Sequence, residues 1–423
     1  MSNLTQTAEM ISTGALDARF ARLYDDIPAA RARFLYLTEL YRKQFGEGKE
    51  IRFFSAPGRT EVCGNHTDHN HGKVIAAAIN LDAVACAEKT DNGIISVKSD
   101  KYPGDFIDIG VLTPQEKERD KSAALVRGVA ARFVQLGYKI GGLNAVTVNN
   151  VLKGSGMSSS ASYEVLVGTL LNYLFNDGKI SPVTIAEVAQ YAENEFFGKP
   201  CGLMDQMACS VGGFVEIDFE KTGAPVITPV SFDFASCGHA LCIVDTRADH
   251  ADLTDEYASI RREMEAVAGL FGKTCLRETD EKEVMDNLAL VRDKLGERPA
   301  LRAIHFYNEN RRVEAEAKAL NEGDFDTFKV LTIESGLSSY TYNQNVFASS
   351  QPQSQPVALA LAVSESVLKG RGAWRVHGGG FAGTIQAFVP YDLLDEYKRR
   401  LEALFGEGAC YVLAIRPFGG TEI

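Results

Sequence analysis

The seventeen residues of 56–72, APGRTEVCGNHTDHNHG, crowd Arg59, Asn65, His66, Asp68, His69 and Asn70 into one loop flanked by apolar segments. A turn of this kind aims alternating donors and acceptors at a small polyhydroxyl ligand. His66, His69 and His71 with Asp68 also offer ligand types that suit zinc, although three imidazoles in one short loop wrap a tetrahedral ion poorly. A plain solvated loop is the alternative reading. A second set of groups lies at 153–162, KGSGMSSSAS, just before an apolar run. Its glycines, Gly154 and Gly156, let backbone N–H groups approach an anion, and a helix opening at the serines adds unsatisfied donors and the positive dipole end. The spacing is neither that of the GxxxxGK[ST] loop nor that of the GxGxxG dinucleotide fingerprint, and it lacks the second glycine of a GxSxG nucleophile elbow.

Two further stretches carry chemistry less specifically. In 198–207, GKPCGLMDQM, a lone carboxylate, Asp205, stands among small and apolar residues, either as a helix cap or as a reacting group with a tuned pKa. In 376–384, VHGGGFAGT, four glycines between strand-like flanks hold backbone close to a ligand or a neighbouring loop, or simply make a tight turn at a sheet edge.

The elements that must position these groups can be read from periodicity. Residues 15–48 read as a helical lead-in, 51–54 as a strand stopping at Pro57-Gly58, and 74–86 as a long buried strand. Then follow a helix over 122–137, a strand over 143–148, the serine loop, and an apolar helix over 159–175. Ser181-Pro182 opens another helix, which ends near Gly198 and Pro200. Beyond about 225 the texture changes to short strands and then to charged helices across 255–335, which places the domain change near 225–240. The segment 343–356, NQNVFASSQPQSQP, reads as a long surface loop.

Length bounds the answer: 423 residues hold two or three domains with ample core. The formal net charge of −12 and a pI near 5.2 disfavour nucleic acid and anionic membrane surfaces as partners. Neither a signal peptide nor eighteen consecutive apolar residues can be found, so a soluble, cytoplasmic protein is expected. Eight scattered cysteines without a CxxC pair read as reduced, partly buried small hydrophobes.

Taken together and in this order, the motifs resemble those of the GHMP small-molecule kinases, and among them the galactokinases. The family's PGRxNxIGEHTDYNxG is met here by PGRTEVCGNHTDHNHG, its GGGLSSSAS by GSGMSSSAS, its CGIMDQ by CGLMDQ and its TGAGFGG by HGGGFAG. The resemblance implies an α+β protein of two domains, an N-terminal one of ribosomal-protein type (residues 1–230) and a C-terminal ferredoxin-like one (231–423), with the active site between them. It implies ATP and magnesium as cofactors and transfer of the γ-phosphate to the anomeric hydroxyl of galactose or a close relative. Arg59 and Asp205 match the family's catalytic pair. Gly154, Ser155, Gly156, Met157, Ser158, Ser159 and Ser160 match its ATP-phosphate loop, and Ser160 with Glu193 its magnesium ligands. Asn65, His66, Asp68, Gly202 and Tyr257 fall on its sugar contacts. A small-molecule sugar is the expected partner, and a monomer the expected state.

Two positions depart from the pattern. Asn65 replaces the family's glutamate, which accepts a hydrogen bond from the sugar C6 hydroxyl, and His69 replaces a tyrosine. An amide keeps an acceptor, gains donors and loses a charge. Asn65, with His66 or His69, is therefore expected either to bind the ordinary C6 hydroxyl or to accept an altered C6 group such as that of galacturonate. A non-catalytic sugar and ATP sensor and a kinase for a non-sugar alcohol are the other readings; the intact Arg59, Asp205, Glu193 and serine run favour an enzyme, and the polar HTD loop favours a sugar.

Overall fold

The computed structural model describes residues 3–151, 156–199, 201–221, 225–248, 253–381 and 383–423. Its strands are β1 (Arg52–Cys63), β2 (Lys73–Thr90), β3 (Ile94–Ser99), β4 (Gly104–Asp108), β5 (Gly142–Asn149), β6 (Phe214–Asp218), β7 (Val226–Val230), β8 (His239–Asp245), β9 (Ala373–His377), β10 (Thr384–Pro390), β11 (Cys410–Leu413) and β12 (Thr421–Glu422). The chain divides into two compact units, one of residues 1–59, 78–213 and 416–423, the other of 60–77 and 214–415. The division differs from a single boundary at residue 230. It changes unit inside β1 and again inside β2, where an uninterrupted strand leaves no change of composition to read, and the last eight residues return to the first unit.

In the first unit the strand order is β12-β1-β2-β5-β3-β4, with β3 parallel to β5 and β2 antiparallel to it. Near-continuous apolar character in β2 follows from burial on both faces, with Ala83, Ala85 and Ala87 turned to one core and Val84 and Cys86 to the other. Helices Ser122–Gln135, Ser159–Phe175 and Pro182–Tyr191 pack on the first of these faces. Helices Leu4–Ser12 and Ile27–Phe45 cover the second. The first of that pair, closed by an Asn3–Gln6 capping box, lies upstream of the expected lead-in.

The second unit contains a four-stranded antiparallel sheet of order β11-β8-β10-β9, and β6 pairs with both β7 and the first five residues of β2. Helices Thr254–Leu270 and Glu297–Asn321 share one core, and Pro356–Leu368 and Leu394–Phe405 contribute to another beneath the sheet. Among the described residues no helix is long and apolar enough to cross a membrane.

Two expectations are corrected. The first strand does not stop at Pro57-Gly58 but runs to Cys63, because Gly58 lets the backbone of Met157 lie against it, and Arg59 N donates to Met157 O at 3.2 Å. Only the later part of 343–356 is a surface loop. Asn343, Asn345, Val346 and Ala348 are buried, and 339–343 form a π-helical turn ending in a left-handed Gln344.

Candidate active site

The first unit carries a charged cluster around the serine loop. Gly156 has a positive φ and Met157 is wholly buried, so the loop is pinned where it meets β1. Arg59 donates through Nη1 to Gly156 O and through Nε to Asp205 Oδ1, the latter at 2.7 Å. Ser158, itself left-handed at φ 56°, donates its hydroxyl to Asp205 Oδ2. Asp205 stands in the first turn of helix Met204–Val211, directly after the exposed Gly202 and buried Leu203. Burial pushes its carboxyl up, but the Arg59 charge and the hydrogen bonds from Arg59 and Ser158 outweigh burial and hold it below its ordinary value. Asp205 is therefore an ionised group paired to a cation. Its side chain keeps 31% of its surface exposed, enough to meet a ligand.

Ser159 and Ser160 form the first turn of the seventeen-residue helix Ser159–Phe175, whose N-terminal N–H groups and dipole favour an anion. Gly154 and Ser155, expected to complete the phosphate loop, lie outside the described residues. Ser160 Oγ is 3.5 Å from Glu193 Oε1. Glu193 reaches this point because helix Pro182–Tyr191 widens into a π-helical turn, Ala192–Phe197, closed by a left-handed Gly198. Lys199 Nζ lies 3.3 Å from Glu193 Oε1, and Gln206 Nε2 bridges Glu193 Oε2 at 2.8 Å and Glu164 Oε2 at 3.1 Å. A hydroxyl and a carboxylate beside a helix N-terminus are the hard oxygen donors that magnesium takes together with nucleotide phosphates. The orphaned Glu164 Oε1 and Gln206 Oε1 mark the inner side of that cluster. Burial and the nearby Glu193 charge raise the Glu164 carboxyl well above its usual range, so it stays neutral.

Glu164 and Gln206 were not singled out from sequence. Gln206 follows Asp205 directly, and Glu164 lies one helical turn after Ser160; that i, i+4 spacing was the available signal.

The second unit holds the His-rich loop. His66, at φ 59°, donates through Nε2 to Gly379 O at 3.0 Å, and Tyr257 packs edge-on to Phe381 and donates to Gly380 O at 3.1 Å. Gly379 and Gly380 belong to the β9–β10 hairpin, so the third glycine motif is a turn whose carbonyls anchor these side chains. A Cβ on Gly379 would lie 2.4 Å from the Tyr257 ring, and one on Gly380, which has φ 83°, 2.0 Å from Asn345 O. Asp68 is half-buried in the 3₁₀ turn Asp68–Asn70. His69 accepts at Nδ1 from Asn70 Nδ2, whose own Oδ1 is fixed as acceptor by Leu276 N. Burial and the surrounding cations push the His69 pKa well down, so the ring is neutral and its Nε2 carries the proton.

Asn65 is fully buried and its amide is committed. Nδ2 donates to Glu61 Oε1 at 2.8 Å and to Gly378 O at 2.7 Å; Oδ1 accepts from Asn345 Nδ2 at 2.8 Å and Ser339 Oγ at 3.3 Å. Every donor and acceptor of the side chain is used within the protein, so the direct sugar contact expected of Asn65 is not set up in this structure. Glu61 occupies the position where the resembled motif has asparagine. The carboxylate and the amide have thus changed places four residues apart, and the buried Arg375 guanidinium sits 3.1 Å from Glu61 Oε1 to balance the charge. Glu61, Arg375, Ser339 and Asn345 were missed because only the fold brings residues 61, 339, 345 and 375 together.

Comparisons with known proteins bear on the fold and on two stretches of the chain. Residues 39–89 match the galactokinase galactose-binding signature, and residues 124–213 match the GHMP kinases N terminal domain. The structure of Lactococcus lactis galactokinase complexed with galactose superposes with a TM-score of 0.75 at 25% identity, covering 92% of this chain and all of that one. Methanococcus jannaschii mevalonate kinase gives a TM-score of 0.62 at 12% identity over 86% of this chain and 98% of its own. Streptococcus pneumoniae phosphomevalonate kinase gives 0.58 at 11% identity over 88% and 99%. The fold is the two-domain α+β fold of the GHMP kinases. The chain carries the GHMP kinases N terminal domain and, ahead of it, the galactokinase galactose-binding signature.

Proposed function

We propose that this protein is an ATP-dependent sugar kinase that transfers the γ-phosphate to the anomeric hydroxyl of galactose or a close galactose-type sugar, giving the sugar 1-phosphate. The observation that carries the reading is the Arg59–Asp205 pair, tied by Ser158 to the start of the helix whose N-terminus suits a phosphate chain. Phosphoryl transfer asks the protein mainly for positioning and charge stabilisation. The serines at 158–160 and the helix N-terminus receive the ATP phosphates. Ser160 and Glu193 would hold magnesium, which would neutralise charge on the nucleotide.

Asp205, kept ionised below its ordinary range, is a poor base for a sugar hydroxyl and is suited to accept its hydrogen bond and orient it. As the oxygen bonds to phosphorus and the bond to ADP breaks, its proton passes to an oxygen of the transferred phosphoryl group, and Arg59 supplies positive charge beside it. His66, Asp68, Gly202 and Tyr257 are the proposed sugar contacts. The test is incubation of the purified protein with magnesium-ATP and single sugars, with products read by mass and 31P NMR. A galactose 1-phosphate signal is expected; absence of any phosphosugar overturns the reading.

A further inference from the structure

The His-rich loop of the second unit stands on two feet, Gly64 just after β1 and Lys73 at the start of β2. The feet are close together: a Cβ on Gly64 would lie 2.4 Å from Lys73 O. Thr67 ties them from inside the loop, its Oγ1 lying 2.9 Å from Gly64 O and 2.7 Å from Lys73 O. Between the feet His66 and His71 hold left-handed backbone, at φ 59° and 61°. Residues with a Cβ keep that conformation only where the surrounding structure over-determines it.

Three of the contacts that do so come from one helix, Glu297–Asn321. Glu309 Oε1 accepts from Gly64 N at 3.2 Å, His305 Nε2 donates to Asn65 O at 2.8 Å, and Asn310 Oδ1 accepts from Lys73 N at 2.7 Å. The His305 tautomer follows from its partners. A carbonyl only accepts, so Nε2 carries the proton and Nδ1 accepts from Ser338 Oγ at 2.8 Å. Burial pushes the His305 pKa down to about 4, which keeps the ring neutral. Glu309 is fixed in turn by Ser335 Oγ and Arg312 Nη1. Residues 305 and 309 are one helical turn apart and 310 adjoins 309, so neighbouring strips of the helix present all three. The approach is tight: a Cβ on Gly72 would come within 2.7 Å of Asn310 Oδ1 and 2.9 Å of the Phe306 ring.

We propose that His305, Glu309 and Asn310 are positioning residues of the acceptor-sugar loop, fixing its backbone at both feet so that His66 and Asp68 stand ready for the sugar. The inference rests on the sugar-kinase reading and deepens it. His66 follows directly on Asn65, whose carbonyl His305 holds, and Asp68 opens the 3₁₀ turn Asp68–Asn70 between the feet. All three helix residues bond to main chain, so they set where the loop stands while its own side chains remain available to it. A loop held at both feet has little freedom left to lose on binding. One released at a foot must be ordered by the sugar itself, and that cost weakens the sugar and leaves the nucleotide untouched.

The test pairs Asn310→Leu with Asn310→Asp, and His305→Leu with His305→Gln. The leucine removes the group that holds the loop; the conservative partner keeps an acceptor for Lys73 N or a donor for Asn65 O. Galactose binding is measured by calorimetry without nucleotide, the KM for galactose and for magnesium-ATP by coupled ADP release, and folding by thermal melts. Asn310 is half-buried, so its pair decides the matter should His305→Leu fail to fold. Asn310→Leu is expected to raise the galactose Kd and KM about tenfold or more with the ATP KM unchanged, and Asn310→Asp to return most of that loss. Galactose and ATP constants that rise together overturn the proposal, as do galactose constants that stay put in Asn310→Leu or are no better in Asn310→Asp. A wild type that binds no galactose overturns it as well. A wild type that binds galactose and phosphorylates no sugar, with binding weakened in Asn310→Leu and kept in Asn310→Asp, supports the positioning role and sinks the kinase reading instead.

Discussion

Arg59 Nε and Asp205 Oδ1 lie 2.7 Å apart, and the same Arg59 side chain reaches Gly156 O, so one guanidinium fixes both the Asp205 carboxylate and the edge of the serine loop. Replacing Asp205 by Asn keeps an acceptor at Oδ1 and removes the charge. The melting temperature should fall, because the buried Arg59 loses a counter-charge. Turnover should fall about 10²- to 10⁴-fold, the range for loss of a group acting in the transition state. Because Asp205 is held below its ordinary value, the wild-type kcat profile should show no Asp205 limb between pH 5 and 8. Coupled ADP release across that range checks both statements, and a titrating limb abolished in Asp205→Asn would make Asp205 a true base.

The exchange of carboxylate and amide between residues 61 and 65 predicts a coupled pair. Glu61→Asn leaves Arg375 buried without its nearest counter-charge, at a cost of about 3–5 kcal/mol. Asn65→Glu sets a second carboxylate against Glu61 and removes the donor to Gly378 O. The double variant restores one carboxylate and one amide and should recover at least about 2 kcal/mol relative to the sum of the singles. Urea denaturation of the four proteins gives the cycle, and strict additivity would show that the two sites do not act as a unit.

Local groups were legible in the sequence because each motif packs most of its chemistry into one loop and its flanking element. The serine helix, the Ser181 cap confirmed by Thr184 N at 3.1 Å, and the Asp205 turn are of this kind. What the sequence hid depends on long-range contact. Asn65 looks like a ligand in its own loop and is turned inward only by Gly378, Ser339 and Asn345. Polar composition likewise made Asn343 and Asn345 read as surface, since nothing local distinguishes a buried amide from a solvated one. The division inside β1 and β2 was invisible for the same reason: hydrophobic alternation reports burial, not which core a strand residue enters.

Gly380 should be irreplaceable where Gly378 is not. Both have positive φ, 83° and 64°, but a Cβ on Gly380 meets Asn345 O at 2.0 Å whereas one on Gly378 meets nothing within 4 Å. Gly378→Ala should cost only the left-handed penalty of about 1–2 kcal/mol. Gly380→Ala must push Asn345 away, breaking the 2.6 Å Phe381 N to Asn345 O bond, and should cost about 3 kcal/mol or more with a raised sugar KM. Thermal melts with sugar kinetics on the two variants separate backbone strain from the Asn345 contact; equal effects would deny the contact any special part.

A buried acid on the far side of Arg375 from Glu61 and Asn65 is not part of either candidate cluster and predicts the alkaline stability. Glu316 lies in helix Glu297–Asn321 with no exposure, and both of its carboxyl oxygens lack hydrogen-bond partners. Burial pushes its pKa up to about 8, with the Arg375 and Arg312 charges pulling down and the Glu309 charge pushing up. The folded value is above the ordinary glutamate value of 4.5, so the folded chain binds a proton that the unfolded chain has released. Its contribution to stability is complete below about pH 4.5 and is lost as pH rises through about 8. Glu316→Gln keeps the shape and cannot ionise. The variant should therefore gain on the wild type by up to about 1.4 kcal/mol per pH unit between pH 5 and 8. Denaturant midpoints at pH 5, 6.5 and 8 measure the trend, and a constant difference across the three would show that Glu316 does not titrate in this range.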